Sequence, residues 1–383
     1  MTSSIHQTGT LNEHLLSQLS LFAKEVGLDL MGAVPLLRDD MGWLSPHAER
    51  LKGWVKRGEH ADMEWLSNRV EERCMPHQLL PRAKSALVFW GNHNIMPPDS
   101  PAHVTGRVAR YAWGRDYHNV LRKSLRKIQR WLGNELGTFE SYTSIDTGAI
   151  LERAVCEQAG LGWIGRSTML INQKLGSFGS LGVMFVDIPT TQIAQPHPFR
   201  CGTCTQCIVD CPTGALSEKG LDARLCISYW TIEHRGVIPR SFRPKIGEWF
   251  FGCDICQDVC PWNNRAHQAD ERLWQPKSQH IYPDLLSWLA MDSQALDQSL
   301  LGSPLRRAKP EGLRRNACIV LANKKHTPAL PILKKLATSD PSPVVRATAL
   351  WACRVLGSND IVELCAQDES ELVQDERHAE LNQ

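Results

Sequence analysis

The order of apolar and polar positions predicts an amphipathic helix at the start of the chain and buried strands further on. Residues 11–26 place apolar side chains at helical spacing until Gly27 ends the pattern. Two short apolar runs, residues 85–90 and 183–188, are bounded by turn-forming residues and predict buried strands. Between them, residues 116–132 alternate as a helix with one apolar and one basic face. Helices that alternate with strands predict an α+β domain over residues 1–194.

The pattern changes twice after this first domain. A linker rich in Pro and Gln leads into a cysteine-rich module over residues 195–265. Residues 266–383 then show helical segments interrupted by proline, and residues 313–323 and 328–356 predict paired helices similar to HEAT repeats. The sequence therefore predicts three domains, the last of them helical.

The formal net charge of the whole chain is only +2, but the last domain separates its charges. We define the basic segment as residues 303–335, in which a single acid, Glu311, accompanies the following cations: Arg306, Arg307, Lys309, Arg314, Arg315, Lys324, Lys325, Lys334 and Lys335. Such clustering favours contact with a polyanion, and we expect Arg306, Arg307, Arg314, Arg315, Lys324 and Lys325 to bind nucleic acid. After Ser358 the chain becomes acidic, which predicts a solvated and mobile tail.

Two further features indicate the cellular compartment. The first ten residues lack the basic and apolar regions of an export signal, and no apolar run approaches the length of a membrane span. The 13 cysteines are an odd number, which favours a reducing compartment over a disulfide framework. We therefore expect a cytoplasmic protein without membrane contact.

The cysteine spacing is the strongest chemical signal in the sequence. Cys201, Cys204, Cys207 and Cys211, followed by Pro212, reproduce the bacterial ferredoxin run, in which the fourth cysteine binds the other of two 4Fe-4S clusters. A second run has Cys253, Cys256 and Cys260 before Pro261, and Cys226 supplies an eighth ligand. The crossover rule assigns Cys201, Cys204, Cys207 and Cys260 to one cluster and Cys211, Cys226, Cys253 and Cys256 to the other. Two structural zinc sites are the alternative, because paired CxxC units also bind zinc.

An acid in the first domain is the other candidate for chemistry. No GxGxxG or Walker sequence is present to bind phosphate. Asp146 precedes Thr147 and Gly148 at the entry to a predicted helix, where it could simply cap the helix. His118 is interpreted in the same way, as a residue at a helix start that Asp116 caps.

Several segments together resemble the epoxyqueuosine reductase family. They are residues 110–118, 146–153, 160–165, 176–178, the first cysteine run, residues 226–229 and residues 252–263, in the family's order. The resemblance implies a nitroreductase-like cobalamin-binding domain, a ferredoxin-like module with two clusters and a HEAT-like domain. It also implies that the protein is a monomeric enzyme that reduces the epoxide of epoxyqueuosine at the wobble position of tRNA. The electrons would come from an external low-potential donor.

The resemblance also implies roles for individual residues. The family's acid beside the cobalt corresponds to Asp146, which would give a proton to the departing oxygen. The positions that line the corrin correspond to Arg73, Ala109, Asp146, Leu170, Leu181, Ser228 and Asp254. We expect burial to raise the pKa of Asp146 toward neutrality, as a proton donor requires.

Three other functions remain open from the sequence. A corrinoid reductive dehalogenase would share cobalamin and paired clusters, although those enzymes typically carry an export signal. A ferredoxin-type electron carrier would need no cobalamin. A tRNA-binding scaffold would explain the basic segment but not the eight cysteines.

Overall fold

The computed structural model describes residues 9–37, 41–193 and 195–380. The prediction about an export signal concerns the first residues of the chain, and residues 1–8 lie outside the described ranges. The first predicted domain boundary falls at Ala194, which also lies outside them, as do the last three residues. The α-helices are α1 Glu13–Glu25, α2 Ser45–Lys56, α3 Glu64–Ser67, α4 Val70–Cys74, α5 Pro76–Leu79, α6 Tyr117–Leu136, α7 Glu152–Gln158, α8 Gln206–Val209, α9 Arg243–Ile246, α10 Ile255–Asp258, α11 Glu271–Trp274, α12 Ser278–Ile281, α13 Leu285–Ala290, α14 Ser293–Ser299, α15 Lys309–Asn323, α16 Leu330–Ser339, α17 Pro343–Val355, α18 Ile361–Leu364 and α19 Glu371–His378. The strands are β1 Leu30–Pro35, β2 Ser85–Asn92, β3 Arg107–Val108, β4 Ser141–Ser144, β5 Trp163–Ile164, β6 Leu170–Ile171, β7 Gly179–Val186, β8 Leu216–Ser217, β9 Gly220–Leu221 and β10 Trp249–Phe251.

A four-stranded antiparallel sheet in the order β1-β2-β7-β4 forms the centre of the first domain. Both apolar runs of the sequence lie in its two middle strands, where every residue of β2 is buried. A strand buried on both faces is apolar at successive positions, which explains why these runs do not alternate. The mixture of this sheet with helices confirms the α+β class.

Helices α1 and α6 pack together and begin near the predicted residues, and α6 continues to Leu136, four residues beyond its predicted end. The Asn12 side chain caps α1, and the Asp116 side chain accepts a hydrogen bond from the backbone N–H of His118 at the start of α6. The apolar face of α6 is buried through Leu121, Leu125 and Ile128, while its basic face remains at the surface. The capping prediction for Asp116 is therefore confirmed.

The cysteine-rich module is joined to the first domain by main-chain pairing. Strand β10 pairs in parallel with β3, and the Ala109 N–H donates to the Phe251 carbonyl at 2.9 Å. Gly252 has a φ of +69°, and a Cβ at this position would lie 2.6 Å from the Ala109 Cβ. Glycine is therefore required where the second cysteine run approaches the first domain.

Helices α15, α16 and α17 form the paired-helix core of the last domain, in agreement with the HEAT-like prediction. Most acids of the predicted tail are solvated as expected, whereas the described part of the tail is helical, and its partial mobility stays a prediction. Helix α19 packs against α17, and the side chain of Glu376 is only 3% exposed between Arg240 and Arg243. Three acids of the tail, Asp360, Asp368 and Glu376, form ion pairs in the described part of the chain, and the burial of Glu376 requires such partners.

None of the described helices has both the length and the apolar character needed to cross a membrane. The second predicted boundary, at residues 265/266, stays a prediction. The segment that follows it packs on the first domain, because the Trp274 side chain donates to the Asn92 carbonyl and Gly27 lies against Leu273.

Candidate active site and cluster region

Asp146 lies on a loop between β4 and α7 rather than at a helix cap. Helix α7 begins at Glu152, and Leu151 precedes it without a side-chain cap. Asp146 has a φ of +61°, a left-handed conformation that is uncommon for a residue other than glycine and that costs free energy. Gly148 allows the loop to lie against β4, because a Cβ there would meet Ser144 Oγ at 2.1 Å. The capping interpretation of Asp146 is wrong, and a strained loop presents this carboxylate.

Two side chains from the first turn of α6 hold the carboxylate of Asp146. The Tyr117 hydroxyl donates to Asp146 Oδ2 at 2.6 Å, and His118 Nε2 lies 3.5 Å from the same oxygen. The other ring nitrogen of His118 is 2.8 Å from Asp116 Oδ1. His118 therefore bridges two carboxylates, a role that its interpretation as a residue at the helix start did not include.

These contacts reverse the expected pKa of Asp146. Partial desolvation raises this pKa, although the side chain is 60% exposed, but the nearby His118 imidazole and the hydrogen bond from Tyr117 outweigh it and hold the pKa below its usual value. For His118, burial disfavours the charged imidazole and lowers the pKa. The contacts with Asp116 and Asp146 outweigh this effect and raise the pKa of His118 to about 9. The expectation that the pKa of Asp146 lies near neutrality is wrong for the substrate-free site. At neutral pH Asp146 is charged and the proton resides on the His118 imidazole.

A second carboxyl and a buried cation lie near the loop. Burial, followed by the charge of Asp146, raises the pKa of Glu152 to about 8, so this group keeps its proton at neutral pH. Arg73 is 6% exposed and donates to the Gly148 carbonyl at 3.0 Å, while its Nε has no hydrogen-bond partner among the described residues. The site thus contains unused donor and acceptor capacity beside Asp146.

Tyr111 connects the Asp146 loop with the second cysteine run. Its ring packs against Tyr117 and Phe251, and its hydroxyl interacts electrostatically with Asp146, Glu233 and Asp254. Asp254 is 4% exposed and accepts the Arg110 N–H at 2.7 Å, while burial raises its pKa to about 7. The predicted positions Ala109 and Asp254 are therefore brought together near Asp146, and Ser228 precedes the π-helical turn Tyr229–Glu233 in the same region.

Leu170 and Leu181 lie in another part of the first domain. Leu170 is buried in a hydrophobic cluster with Trp90 and Val183, and Leu181 packs against that cluster. The described contacts do not connect these two leucines directly with Asp146.

The cysteine thiols interact within two sets that match the crossover assignment, and this assignment of cluster ligands stays a prediction. The Cys207 thiol interacts electrostatically with Cys260, Cys201 and Cys204, and we call these four the distal set. The Cys253 thiol interacts with Cys226 and Cys211, and the Cys256 thiol interacts with Cys253 and Cys226. We call Cys211, Cys226, Cys253 and Cys256 the proximal set. No three His, Cys, Asp or Glu side chains in the described ranges surround one metal ion, which is compatible with a cubane, whose thiolates bind separate irons.

The two sets lie at different distances from Asp146. The proximal set includes Cys253 and Cys256, which flank Asp254, and Asp254 interacts with Tyr111 beside Asp146. In the distal set, Cys260 and Cys201 pack with Trp163 and Trp262, and Cys204 is exposed. Cys256 also interacts with Cys207, so the sets adjoin one another. These interactions connect the distal set with the proximal set, and the proximal set with Asp146 through Asp254 and Tyr111.

The predicted nucleic-acid contacts of Arg314 and Arg315 are wrong, because both side chains are buried. Arg314 forms an ion pair with Asp340 and is 7% exposed. Arg315 is 1% exposed and donates to the carbonyls of Trp230, His234 and Gly236. A guanidinium inside the protein with all of these acceptors cannot contact a phosphate.

The other four predicted contacts remain accessible to different degrees. Arg306 pairs with Asp297, Arg307 with Glu233 and Lys324 with Glu248. Lys325 is exposed and has no ion-pair partner among the described residues. Arg307 also interacts electrostatically with Asp146 and Tyr117, so it lies near the rim of the candidate site.

A groove with a volume of 320 Å³ lies beside the Asp146 loop, on the side of α6. Its lining includes Arg122, Arg126, Tyr142, Thr147 and Gly148. Both arginines are exposed, and neither forms an ion pair with an acid in the described part of the chain. The groove therefore places two unpaired arginines beside Thr147 and Gly148, the residues that directly follow Asp146.

Comparison with known families defines the class of protein. Residues 200–263 match the family described as "4Fe-4S double cluster binding domain", and residues 299–379 match "HEAT repeats". Together with the two cysteine sets and the acid–imidazole site, these matches define an iron–sulfur oxidoreductase with a helical repeat domain. Residues 73–147, which include Asp146, match "Epoxyqueuosine reductase QueG, DUF1730".

Individual relatives and solved structures match most of the chain. An epoxyqueuosine reductase from Synechocystis is 41% identical over 275 residues, which are 70% of this chain and 93% of the relative. A crystal structure of epoxyqueuosine reductase with an epoxyqueuosine-modified tRNA-Tyr stem loop has a TM-score of 0.88 at 30% identity and covers 95% of this chain and 97% of that one. A Bacillus subtilis structure, described with its aspartate-bearing catalytic loop swung out of the active site, has a TM-score of 0.85 at 30% identity with the same coverage. The chain belongs to the epoxyqueuosine reductase family.

Proposed function

We propose that this chain reduces epoxyqueuosine to queuosine at the wobble position of tRNA, with cobalamin as the cofactor at Asp146 and two 4Fe-4S clusters as the electron path. The observation that carries the proposal is the series of interacting groups that leads from the distal set through the proximal set to Asp254, Tyr111 and Asp146. Membership of the family supports the substrate, and a relative of similar fold has been crystallised with an epoxyqueuosine-modified stem loop.

The residues at the site fit a corrin. The rim of this ring carries amides, which both donate and accept hydrogen bonds, and the region offers one buried cation with an unused donor, Arg73, and one buried acceptor, Asp254. We propose that Ala109, Ser228 and Asp254 hold one side of the group, and that Arg73 and Asp146 lie at its reactive side. Leu170 and Leu181 would contribute apolar contacts. A nitroreductase-like fold for this domain remains part of the proposal.

Removal of the epoxide oxygen requires two electrons and two protons and yields an alkene and water. Cobalamin supplies a strongly reducing cobalt when it is bound. The chain supplies the protons, and Asp146, His118 and Tyr117 form the pathway. We propose that the epoxide oxygen takes its proton from Asp146 after His118 has passed a proton to the carboxylate. Entry of the substrate excludes water, which raises the pKa of Asp146 toward the state that donates.

The clusters would bind as the crossover rule assigns them, with the distal set as one ligand group and the proximal set as the other. The electrostatic contacts within each set support this assignment. Burial raises the pKa of the Cys253 and Cys256 thiols well above the usual value, so iron must stabilise the thiolates here. An external low-potential electron donor, a monomeric state and a cytoplasmic location complete the proposal.

The tRNA would bind across the groove beside α6. Arg122 and Arg126 lie on one side of Asp146, and Arg307 lies near its other side. These cations can contact phosphates of the anticodon loop while the modified base is extruded toward Asp146. Arg306, Lys324 and Lys325 would contribute only at the outer edge, and Arg314 and Arg315 have no part in binding.

One reconstitution experiment tests the function. The anaerobically reconstituted chain is incubated with cobalamin, a reductant and tRNA that contains epoxyqueuosine, and queuosine is measured by mass spectrometry. The substitution Asp146→Asn should lower turnover roughly a hundredfold, because an amide cannot deliver the proton. Asp297→Asn is the matched control, since Asp297 is a surface carboxylate that pairs with Arg306. Equal turnover of all three proteins would exclude Asp146 from the reaction, and absence of queuosine from the unaltered holoenzyme would refute the function.

A further inference from the structure

The distal set opens to the surface of the molecule. Cys204 is the exposed cysteine of the set, and it lies on the loop between Cys201 and α8. The proximal set adjoins the distal set and connects with Asp146 through Asp254 and Tyr111, whereas Cys204 is exposed, so an electron that arrives from outside should meet the distal cluster first. The surface around Cys204 is therefore the place to search for a docking site.

Apolar side chains flank the exposed cysteine loop on both sides. Phe199 is 54% exposed and lies two residues before Cys201, while Val209 is 70% exposed and lies two residues after Cys207. The Arg166 guanidinium holds this surface in place, since it lies 5.7 Å from the Phe199 ring and donates to the Gly202 carbonyl at 3.1 Å. Two large apolar side chains held at the surface beside a cluster are typical of an interaction site.

Positive charge surrounds these apolar residues. Segments 163–175, 196–220 and 261–267 contain or adjoin the residues of the distal set, and they carry five Lys or Arg residues against two acids: Arg166, Lys174, Arg200, Lys219 and Arg265 against Asp210 and Glu218. Asp258, two residues before Cys260, is already paired with Arg107 and Arg110. Glu218 is already paired with Arg166. Arg200 and Arg265 are exposed, and neither pairs with an acid among the residues that the structure describes. The face therefore carries a net positive charge.

We propose that Phe199, Arg200, Cys204, Val209 and Arg265 form the docking face for an acidic one-electron carrier protein. The proposal rests on the proposed function, in that it assigns the entry point of the electrons that the reduction consumes. Each encounter oxidises the carrier by one electron and reduces the distal cluster by one electron, and no bond is formed or broken. Two encounters supply one epoxide.

The chemistry of the face favours a protein over a nucleic acid. Phosphate contacts need cations, but they do not need exposed Phe and Val side chains at the centre of the patch. Small apolar contact areas ringed by complementary charge are characteristic of transient redox complexes, which must dissociate after each electron. The free arginines beside Asp146 are a separate surface, on the α6 side of the first domain.

The test is the rate of cluster reduction, measured without tRNA or cobalamin. The reconstituted chain is mixed in a stopped-flow instrument with reduced flavodoxin, an acidic carrier, and cluster absorbance is followed; dithionite replaces flavodoxin in a parallel series. The double substitution Arg200→Glu and Arg265→Glu should lower the second-order rate constant with flavodoxin at least tenfold at low salt, because like charges repel at encounter. The rate with dithionite should change less than twofold, and the flavodoxin difference should shrink at high salt.

Two further variants make the outcome decisive. Arg82→Glu reverses a charge that is 70% exposed and pairs with Glu140, away from the cysteine runs, and it should leave the flavodoxin rate unchanged. If the double reversal lowers cluster content, Arg200→Gln with Arg265→Gln replaces it, with a smaller decrease expected. An unchanged flavodoxin rate in variants with full iron content would overturn the docking face, as would weakened tRNA affinity with normal reduction by flavodoxin. Normal reduction by flavodoxin without queuosine formation would instead contradict the proposed function alone.

Discussion

Two regions of this chain are rich in Lys and Arg, and they use these charges differently. The basic face of α6 carries Arg122, Lys123, Arg126, Lys127 and Arg130, and none of these forms an ion pair with an acid among the described residues. In the basic segment, residues 303–335, most of the cations have protein acceptors. Arg314 and Arg315 are buried, and Arg306, Arg307, Lys324 and Lys334 have acidic partners.

The partners of the basic segment come from distant parts of the sequence. Arg307 pairs with Glu233 of the cysteine-rich module, and Lys334 pairs with Asp360 of the acidic tail. The two arginines of α15 serve as structural donors, because buried acceptors have to be satisfied: Arg314 donates to groups within the helical domain, and Arg315 donates to carbonyls of the cysteine-rich module. A surplus of positive charge in a segment therefore does not identify a nucleic-acid site until the folded partners are known.

The largest expected effect concerns stability and separates the two regions. Arg314→Ala leaves Asp340 buried without its partner, and Asp340 is 5% exposed. The free energy of unfolding should fall by about 3–5 kcal/mol, as for other buried ion pairs that lose one member. Chemical denaturation checks this value, and Arg122→Ala on α6 is the control, which should change stability by less than about 0.5 kcal/mol. Similar stability of the two variants would contradict the structural role of Arg314.

Local patterns in the sequence predicted much of the fold but not the partners of charged groups. The bounds of α1, the buried β2 strand and the Asp116 cap follow from apolar spacing and from side chains within three residues of one another. The burial of Arg315 depends on carbonyls that lie about 80 residues away in the sequence.

The same limit applies to the candidate site. The pKa of Asp146 depends on His118 and Tyr117, which precede it by almost 30 residues and reach it only through the packing of α6. The resemblance to a family identified Asp146, whereas capping rules alone gave it the wrong role. The ligands of the two clusters stay a prediction until iron is bound.

The second expected effect is on affinity for tRNA. The double substitution Arg122→Ala and Arg126→Ala should weaken binding roughly tenfold at low salt, and it should flatten the dependence of log affinity on log salt by about 1.5 units, because two phosphate contacts are lost. Filter binding at several salt concentrations measures both quantities. The matched control is Arg306→Ala with Lys324→Ala, which removes two cations of the basic segment that already have acidic partners. A larger loss of affinity in this control would place the tRNA on the basic segment.

The third expected effect is a dependence on pH that originates at the start of α6. The pKa of His118 is raised to about 9, above its usual value of 6.5, so the charged imidazole stabilises the fold fully below about pH 6.5 and loses this contribution as the pH rises through 9. The proton supply to Asp146 should be lost over the same upper range. Turnover of the unaltered enzyme should therefore fall above pH 9, whereas His118→Gln should have low turnover and no such fall. Parallel profiles for the two proteins would exclude His118 from proton delivery.

The smallest expected effect tests whether surface pairs of the basic segment matter at all. Arg306→Ala breaks an exposed pair with Asp297, whose two contacts are 2.8 and 2.9 Å long. Exposed pairs contribute little to stability because water screens them, so the free energy of unfolding should stay almost unchanged. Affinity for tRNA should change less than twofold, because Asp297 already neutralises this charge. A fall in affinity as large as that of the α6 double variant would show that Arg306 leaves Asp297 to bind phosphate. The contrast between the unpaired cations of α6 and the paired cations of the basic segment would then hold for the free protein but not for its complex with tRNA.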